Sequence, residues 1–245
     1  MGAPHERSWR SVSEPSQRLG GHRGRPYAAT GRRAGEHVIS LLDRIFARLY
    51  DRGLARVEQA GLADERHALL AHAAGEVVEI GAGTGANLAH LGPAVERLHL
   101  LEPTPAMVRR LHRRAATFTR APVRVLPASA EALPFDDATV DVVIATLVLC
   151  TVDDLDRSIA EIRRVLRPDG QLLLIEHVAG HGRVAATQAL LERPWRFVAR
   201  GCNLRRDTAA ALRAGGFDLA DVRPWRLPGG GPAAPAIVGT ARSPG

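Results

Sequence analysis

Eleven residues, Val77 to Asn87, limit most sharply what this chain can become: VVEIGAGTGAN. Two valines and an isoleucine, bounded by Gly75 and Gly81, read as a buried strand, and the three glycines that follow read as a tight turn into a helix. Such a turn is suited to a nucleotide. The free N–H groups of a helix start, next to glycines that let the backbone approach closely, fit the polar parts of an adenosine-containing ligand.

From Glu76 onward strand and helix patterns alternate, which implies parallel strands joined by right-handed crossovers. Strands are expected at 77–80, 97–101, 123–126, 140–149, 172–175, 217–222 and 236–241. The fourth, nearly continuous in apolar and β-branched residues, has the character of a central strand buried on both faces. Helices are expected from the glycine turn to Leu91, around Met107, Val108 and Leu111, and at 153–166, 188–200 and 208–214. The Gly-Pro linker Pro228 to Pro235 suits a hairpin that returns the last strand antiparallel. The predicted fold class is therefore α/β: a Rossmann-like, doubly wound, mostly parallel seven-stranded sheet with helices on both faces and an antiparallel last strand.

Ahead of this core, residues 36–75 read as a helical cover. Val38, Leu42, Ile45 and Leu49 recur at helical spacing, with Gly53 as a stop, and a second helical stretch runs from about Leu62 to His72. The first of these is a candidate lid over a ligand. Residues 1–35, rich in Gly, Pro, Ser and Arg without hydrophobic period, are expected to be a disordered basic tail, which leaves 36–245 as the folded domain with 76–245 as its core.

That tail also disposes of the net charge of +7. Seven arginines against Glu6 and Glu14 give residues 1–35 a charge of +5, so +2 is left for the rest. All the basic residues are arginine, with no lysine anywhere, in an alanine-rich chain. The basicity is thus a tail and a composition bias, and nucleic acid is not an expected partner. The longest apolar stretch, 139–152, is interrupted by Asp141 and too short to span a bilayer, and the N-terminus lacks the apolar core of a secretory signal. Two cysteines far apart, Cys150 and Cys202, point to a reducing, cytoplasmic setting and, with scattered histidines, show no metal-ligand spacing; no metal is expected.

Alone, Gly81-Ala82-Gly83-Thr84-Gly85-Ala86 also satisfies the GxGxxG/A form of a dinucleotide site. Glu102, at the end of the second strand, leaves the choice open, because an acid there bonds ribose hydroxyls in NAD sites and in S-adenosylmethionine sites alike.

The surroundings of the loop carry a family resemblance. Glu79-Ile80-Gly81-Ala82-Gly83-Thr84-Gly85 resembles the first motif of class I S-adenosylmethionine-dependent methyltransferases. Glu131-Ala132-Leu133-Pro134-Phe135-Asp136, then Val140-Asp141-Val142-Val143, then Arg164-Val165-Leu166-Arg167-Pro168-Asp169-Gly170 resemble its later motifs in the same order. Asp169 stands where that family usually has a glycine. More narrowly, Gly85-Ala86-Asn87, Leu147-Val148-Leu149-Cys150, Glu176-His177-Val178 and Gly201 to Thr208 resemble the group that includes the eukaryotic alkyl thiol methyltransferases and many bacterial relatives. Those eukaryotic relatives carry an apolar N-terminal membrane segment where this chain has its basic tail.

The resemblance implies S-adenosylmethionine as cofactor and a small-molecule methyl acceptor. Gly81, Ala82, Gly83 and Gly85 would pass close to the methionyl part, with Glu79 near its ammonium and Asn87 beside the loop. Glu102 would take the ribose hydroxyls, and Ala130 and Glu131 would flank the adenine. Ser129 stands where many members have an aspartate on the adenine amino group, and Pro103, Met107 and Leu147 complete the cofactor's surroundings. The acceptor would enter at 147–153 and 176–178, where His177 is the candidate general base and Cys150 the other candidate catalytic group. A thiol is the leading acceptor, since its pKa of about 8.5 needs little help to ionise. The other readings are a lipid, quinone or other O- or N-acceptor, an NAD-dependent oxidoreductase, and a non-catalytic nucleotide- or RNA-associated protein.

Overall fold

A computed structural model describes residues 53–199 and 201–243. The basic tail and the helix expected around Val38 to Tyr50 lie outside the described residues. Seven strands form: β1 (Gly75–Ile80), β2 (Val95–Leu101), β3 (Val123–Leu126), β4 (Val140–Thr146), β5 (Leu166–His177), β6 (Asp218–Arg226) and β7 (Pro235–Arg242). They make one sheet in the order β3-β2-β1-β4-β5-β7-β6. Pairings from β3 through β5 are parallel, and β7 runs antiparallel to both of its neighbours, as the Gly-Pro hairpin predicted.

The helices are α1 (Ala63–Leu70), α2 (Pro105–Ala115), α3 (Leu155–Val165), α4 (Gly182–Val198) and α5 (Thr208–Ala214). A short π-helical turn, Glu58–Leu62, leads into α1. Several boundaries differ from expectation, among them the end of β4 at Thr146 in place of 149 and the end of β6 at Arg226 in place of 222. The glycine turn opens a 3-10 turn, Ala86–His90, in place of a longer helix, because Gly85 enters it left-handed and Leu91 leaves it extended ahead of Gly92-Pro93. Helix α4 begins six residues earlier than predicted, at Gly182 against 188. Strand β5 starts at Leu166, and its pairing with β4 jumps from Leu166 to Gln171. The intervening bulge turns at Asp169, whose φ of 63° explains why glycine suits that position.

Alternation in the central strands feeds two cores. Val78, Ile80, Val143, Ala145, Leu172 and Leu174 pack on one face of the sheet, while Val77, Leu98, Val142, Ile144 and Leu173 pack on the other. Both faces are therefore buried, which accounts for the apolar runs Val142 to Ala145 in β4 and Leu172 to Ile175 in β5.

Two of the sequence motifs prove to be a single clamp. Arg164, at the end of α3, donates to the carbonyls of Phe135 (2.8 Å) and Leu133 (3.0 Å), and Glu161 accepts from the Leu133 N–H (2.8 Å). The segment between β3 and β4 is thereby tied to the helix that follows β4. The sheet order reverses between β1 and β4, so the crevice that doubly wound sheets use for ligands opens at the carboxyl ends of these two strands.

Candidate active site

The glycine loop leaves β1 with three consecutive odd positions in the left-handed region: Gly81 (φ 60°), Gly83 (φ 57°) and Gly85 (φ 85°). Their reasons differ. A Cβ on Gly81 would stand 2.2 Å from Val148 Cγ2, so this glycine lets the loops after β1 and β4 touch. A Cβ on Gly83 would meet nothing nearer than the Gly81 carbonyl oxygen, 3.9 Å away, and would project into the open crevice.

Beneath the loop lies a buried carboxylate. Glu79, 2% exposed at the end of β1, accepts from Asn87 Nδ2 through Oε1 (3.0 Å), while its Oε2 is buried without a hydrogen bond. Burial pushes its pKa up to about 7, against the lowering effects of Asn87 and of Arg66; the Glu102 charge adds to the rise. Asn87 is fully engaged inside the protein: Nδ2 also donates to Thr146 Oγ1 (3.1 Å), and Oδ1 accepts from Arg66 Nη1. Arg66, 3% exposed on α1, is in turn held by Glu58 at 3.0 Å. Asn87 is thus a brace between Glu79, Thr146 and Arg66 and has no Nδ2 hydrogen left for a ligand.

Glu102 closes the far side. Its Oε2 accepts from Gly83 N (2.9 Å) and its Oε1 from Thr104 N (2.8 Å), so the carboxylate shapes the glycine loop and keeps a further lone pair on each oxygen. Pro103 and the buried Met107 follow at the start of α2. After β3, Ala130 is buried, while Glu131 accepts from Asp153 N (3.0 Å), joining the loops after β3 and β4. Among the described hydrogen bonds, none engages the Ser129 hydroxyl.

At the carboxyl ends of β4 and β5 the arrangement is different in kind. Leu147 takes a φ of 55°, an uncommon conformation for a side chain of its size, and its N–H donates to the Ile175 carbonyl at 2.8 Å. Glu176, fully buried, accepts from the N–H groups of Val148 (2.8 Å) and Leu149 (2.9 Å) through one oxygen; burial raises its pKa to about 7. His177 is 1% exposed, and its Nδ1 lies 3.7 Å from Cys202 Sγ. Burial works to lower the pKa of this imidazole, but Cys202 and Glu176 raise it overall. Cys202 is lowered to about 5, first by Cys150 and then by His177 against the opposing effect of burial, and Cys150 is correspondingly raised.

Cys150, His177 and Cys202 therefore form one buried cluster whose donor atoms lie within 4.8 Å of one another. Chain spacing concealed it. The loop carrying Cys202 is fastened to the loop carrying Cys150 by Asn203 N on the Cys150 carbonyl (2.9 Å) and by Arg206 on the carbonyls of Leu149 and Val152 (2.8 Å each). The Asn203 side chain serves the same loop, its Oδ1 accepting from Arg205 N (3.0 Å).

Part of the chain is similar to known proteins. Residues 78–174 match the family described as methyltransferase domain. Over 148 residues the chain is 34% identical to thiol S-methyltransferase TMT1A of Homo sapiens, covering 58% of this chain and 59% of that protein. Thiol S-methyltransferase TMT1B of Homo sapiens is 36% identical over 151 residues, covering 57% and 59%. Within residues 78–174 the chain is thus similar to methyltransferase domains. The chain spans about three fifths of the length of these two relatives. Among solved structures, a possible histamine N-methyltransferase of Thermotoga maritima shares the fold, with a TM-score of 0.62 at 21% identity over 82% of this chain and 97% of that one.

Set against this methyltransferase frame, Arg66 is the site residue that sequence reading missed. It lies on the helix before β1, ahead of the matched span, and only the fold brings it to Asn87. Glu176, His177 and Cys202 lie beyond the end of that span, so the matched family covers the glycine-loop side of the crevice and stops before the opposite side.

Proposed function

We propose that this chain transfers the methyl group of S-adenosylmethionine to the sulfur of a small thiol. When bound, the cofactor supplies an electrophilic methyl group on a sulfonium. The observation that carries the donor half is Glu79: a buried carboxylate at the mouth of the crevice, with one oxygen held and the other unpartnered, suits a cationic ammonium. Gly83 leaves the crevice open for the methionyl part, Glu102 offers its remaining lone pairs to ribose hydroxyls, and Ser129, Ala130 and Glu131 border the adenine.

For the acceptor, the support is the likeness to two thiol S-methyltransferases together with the character of the β4 and β5 ends. His177 is buried against Cys202, and a thiol, with an ordinary pKa of about 8.5, has the least need of a strong base. The residues then act by alignment and water exclusion, holding donor and acceptor in line. The strained Leu147 and the 148–149 backbone fixed by Glu176 form the wall between the two.

Incubation with methyl-labelled S-adenosylmethionine and a panel of small thiols, phenols and amines tests this reading. Label is expected in thioether products. Transfer to phenols or amines with none to any thiol would remove the thiol assignment and keep methyl transfer.

A further inference from the structure

We propose that Cys150, His177 and Cys202 form a binding site for a single thiophilic divalent cation of the zinc class. Two thiols and an imidazole converge from three separate elements: the loop after β4, the last residue of β5 and the loop after α4. All three are buried, at 3%, 1% and 8% exposure. The Nδ1 of His177 lies 3.7 Å from Cys202 Sγ. That separation matches the edge of a zinc tetrahedron, about 3.6 Å for bonds of about 2.0 Å to nitrogen and 2.3 Å to sulfur.

The imidazole has a nitrogen to spare as well: His177 Nε2 is buried without a hydrogen bond. The ligand types select the ion. Two sulfurs and an imidazole are soft and borderline donors, which suit zinc and not magnesium or calcium. Charge agrees as well: two thiolates and one divalent cation sum to zero, the arrangement least costly to keep away from water. Binding breaks two S–H bonds and releases both protons to solvent, with no oxidation or reduction.

Three protein donors leave one position of the tetrahedron. Resting on the thiol reading above, that position is where an acceptor sulfur would be held as its thiolate at the carboxyl ends of β4 and β5. The metal site itself does not depend on that reading.

The test uses the full chain, purified under reducing conditions, stripped with a chelator and titrated with Co2+ and then Zn2+. One equivalent of Co2+ is expected to give intense sulfur-to-cobalt charge-transfer absorption, bleached by one equivalent of Zn2+. Cys150→Ser and Cys202→Ser should each lose most of the band, and the double variant all of it. S-Adenosylhomocysteine binding by each variant reports that the domain remains folded, and a Cys202→Ala variant substitutes where the serine variant fails this check. Absence of the band in the wild type, its persistence in the folded double variant, or a Cys150–Cys202 disulfide that no reductant opens would overturn the site. Because the readout contains neither methyl donor nor acceptor, such a result leaves the methyl-transfer reading standing.

Discussion

Glu79 and Glu176 are near twins placed at opposite ends of the crevice. Each follows an apolar strand, each is at most 2% exposed, each has an unpartnered Oε2, and burial carries each pKa to about 7. What separates them is the partner of the other oxygen. Glu79 is held by a side-chain amide with Arg66 behind it, whereas Glu176 is held by two backbone N–H groups of the loop after β4. A carboxylate gripped by side chains can be turned toward a ligand, while one that satisfies backbone is committed to the shape of the chain. On the proposed reading, the donor end presents a charge and the acceptor end fixes a wall.

The largest expected effect lies at the wall. Glu176→Ala leaves the Val148 and Leu149 N–H groups without their acceptor and should cost about 2–4 kcal/mol of stability by denaturant unfolding. The opposite pattern is expected at the donor end. Glu79→Gln should weaken S-adenosylhomocysteine binding by about 10- to 100-fold, the worth of a hydrogen bond to a charged group. Its stability at pH 8 should rise, since the folded-state pKa exceeds the ordinary value and the free protein otherwise keeps an ionised carboxylate buried. Were Glu79→Gln to unfold the protein while leaving affinity unchanged, the two acids would have exchanged roles.

How far each end could be read from sequence follows from the same division. The donor end is contiguous: the strand, the three glycines and Glu79 lie within eleven residues, Gly75 to Gly85, and Glu102 follows at the end of the next strand, so strand periodicity and turn chemistry were sufficient. The sheet, including its reversed last strand, was legible for that reason. Arg66 was not, because a charged residue on a short helix looks like solvated surface until the fold buries it against Asn87. The acceptor end was not either. Cys150, His177 and Cys202 meet only through the bonds from Asn203 and Arg206 between loops more than fifty residues apart. The early start of α4 and the bulge at the head of β5 likewise depend on tertiary packing and not on local periodicity.

Smaller effects in the glycine loop should sharpen the comparison. Gly81→Ala is expected to cost about 1–3 kcal/mol of stability, because its Cβ meets the wall at Val148 as well as a left-handed φ. Gly83→Ala should cost about 1–2 kcal/mol, the left-handed penalty alone, and its main effect should appear in cofactor affinity, since its Cβ enters the open crevice. Equal losses of stability and affinity in both variants would mean that wall and cradle are one structure.

The claim that Glu79 presents a charge to the cofactor is tested most directly by calorimetric titration of S-adenosylhomocysteine between pH 6 and pH 8.5. In the free protein Glu79 takes up a proton as the pH falls through about 7. An ammonium favours the ionised form, so affinity should fall below pH 7 by up to about tenfold per pH unit, with proton release on binding, and Glu79→Gln should abolish both. An affinity independent of pH across this range, or the same slope in Glu79→Gln, would contradict the account.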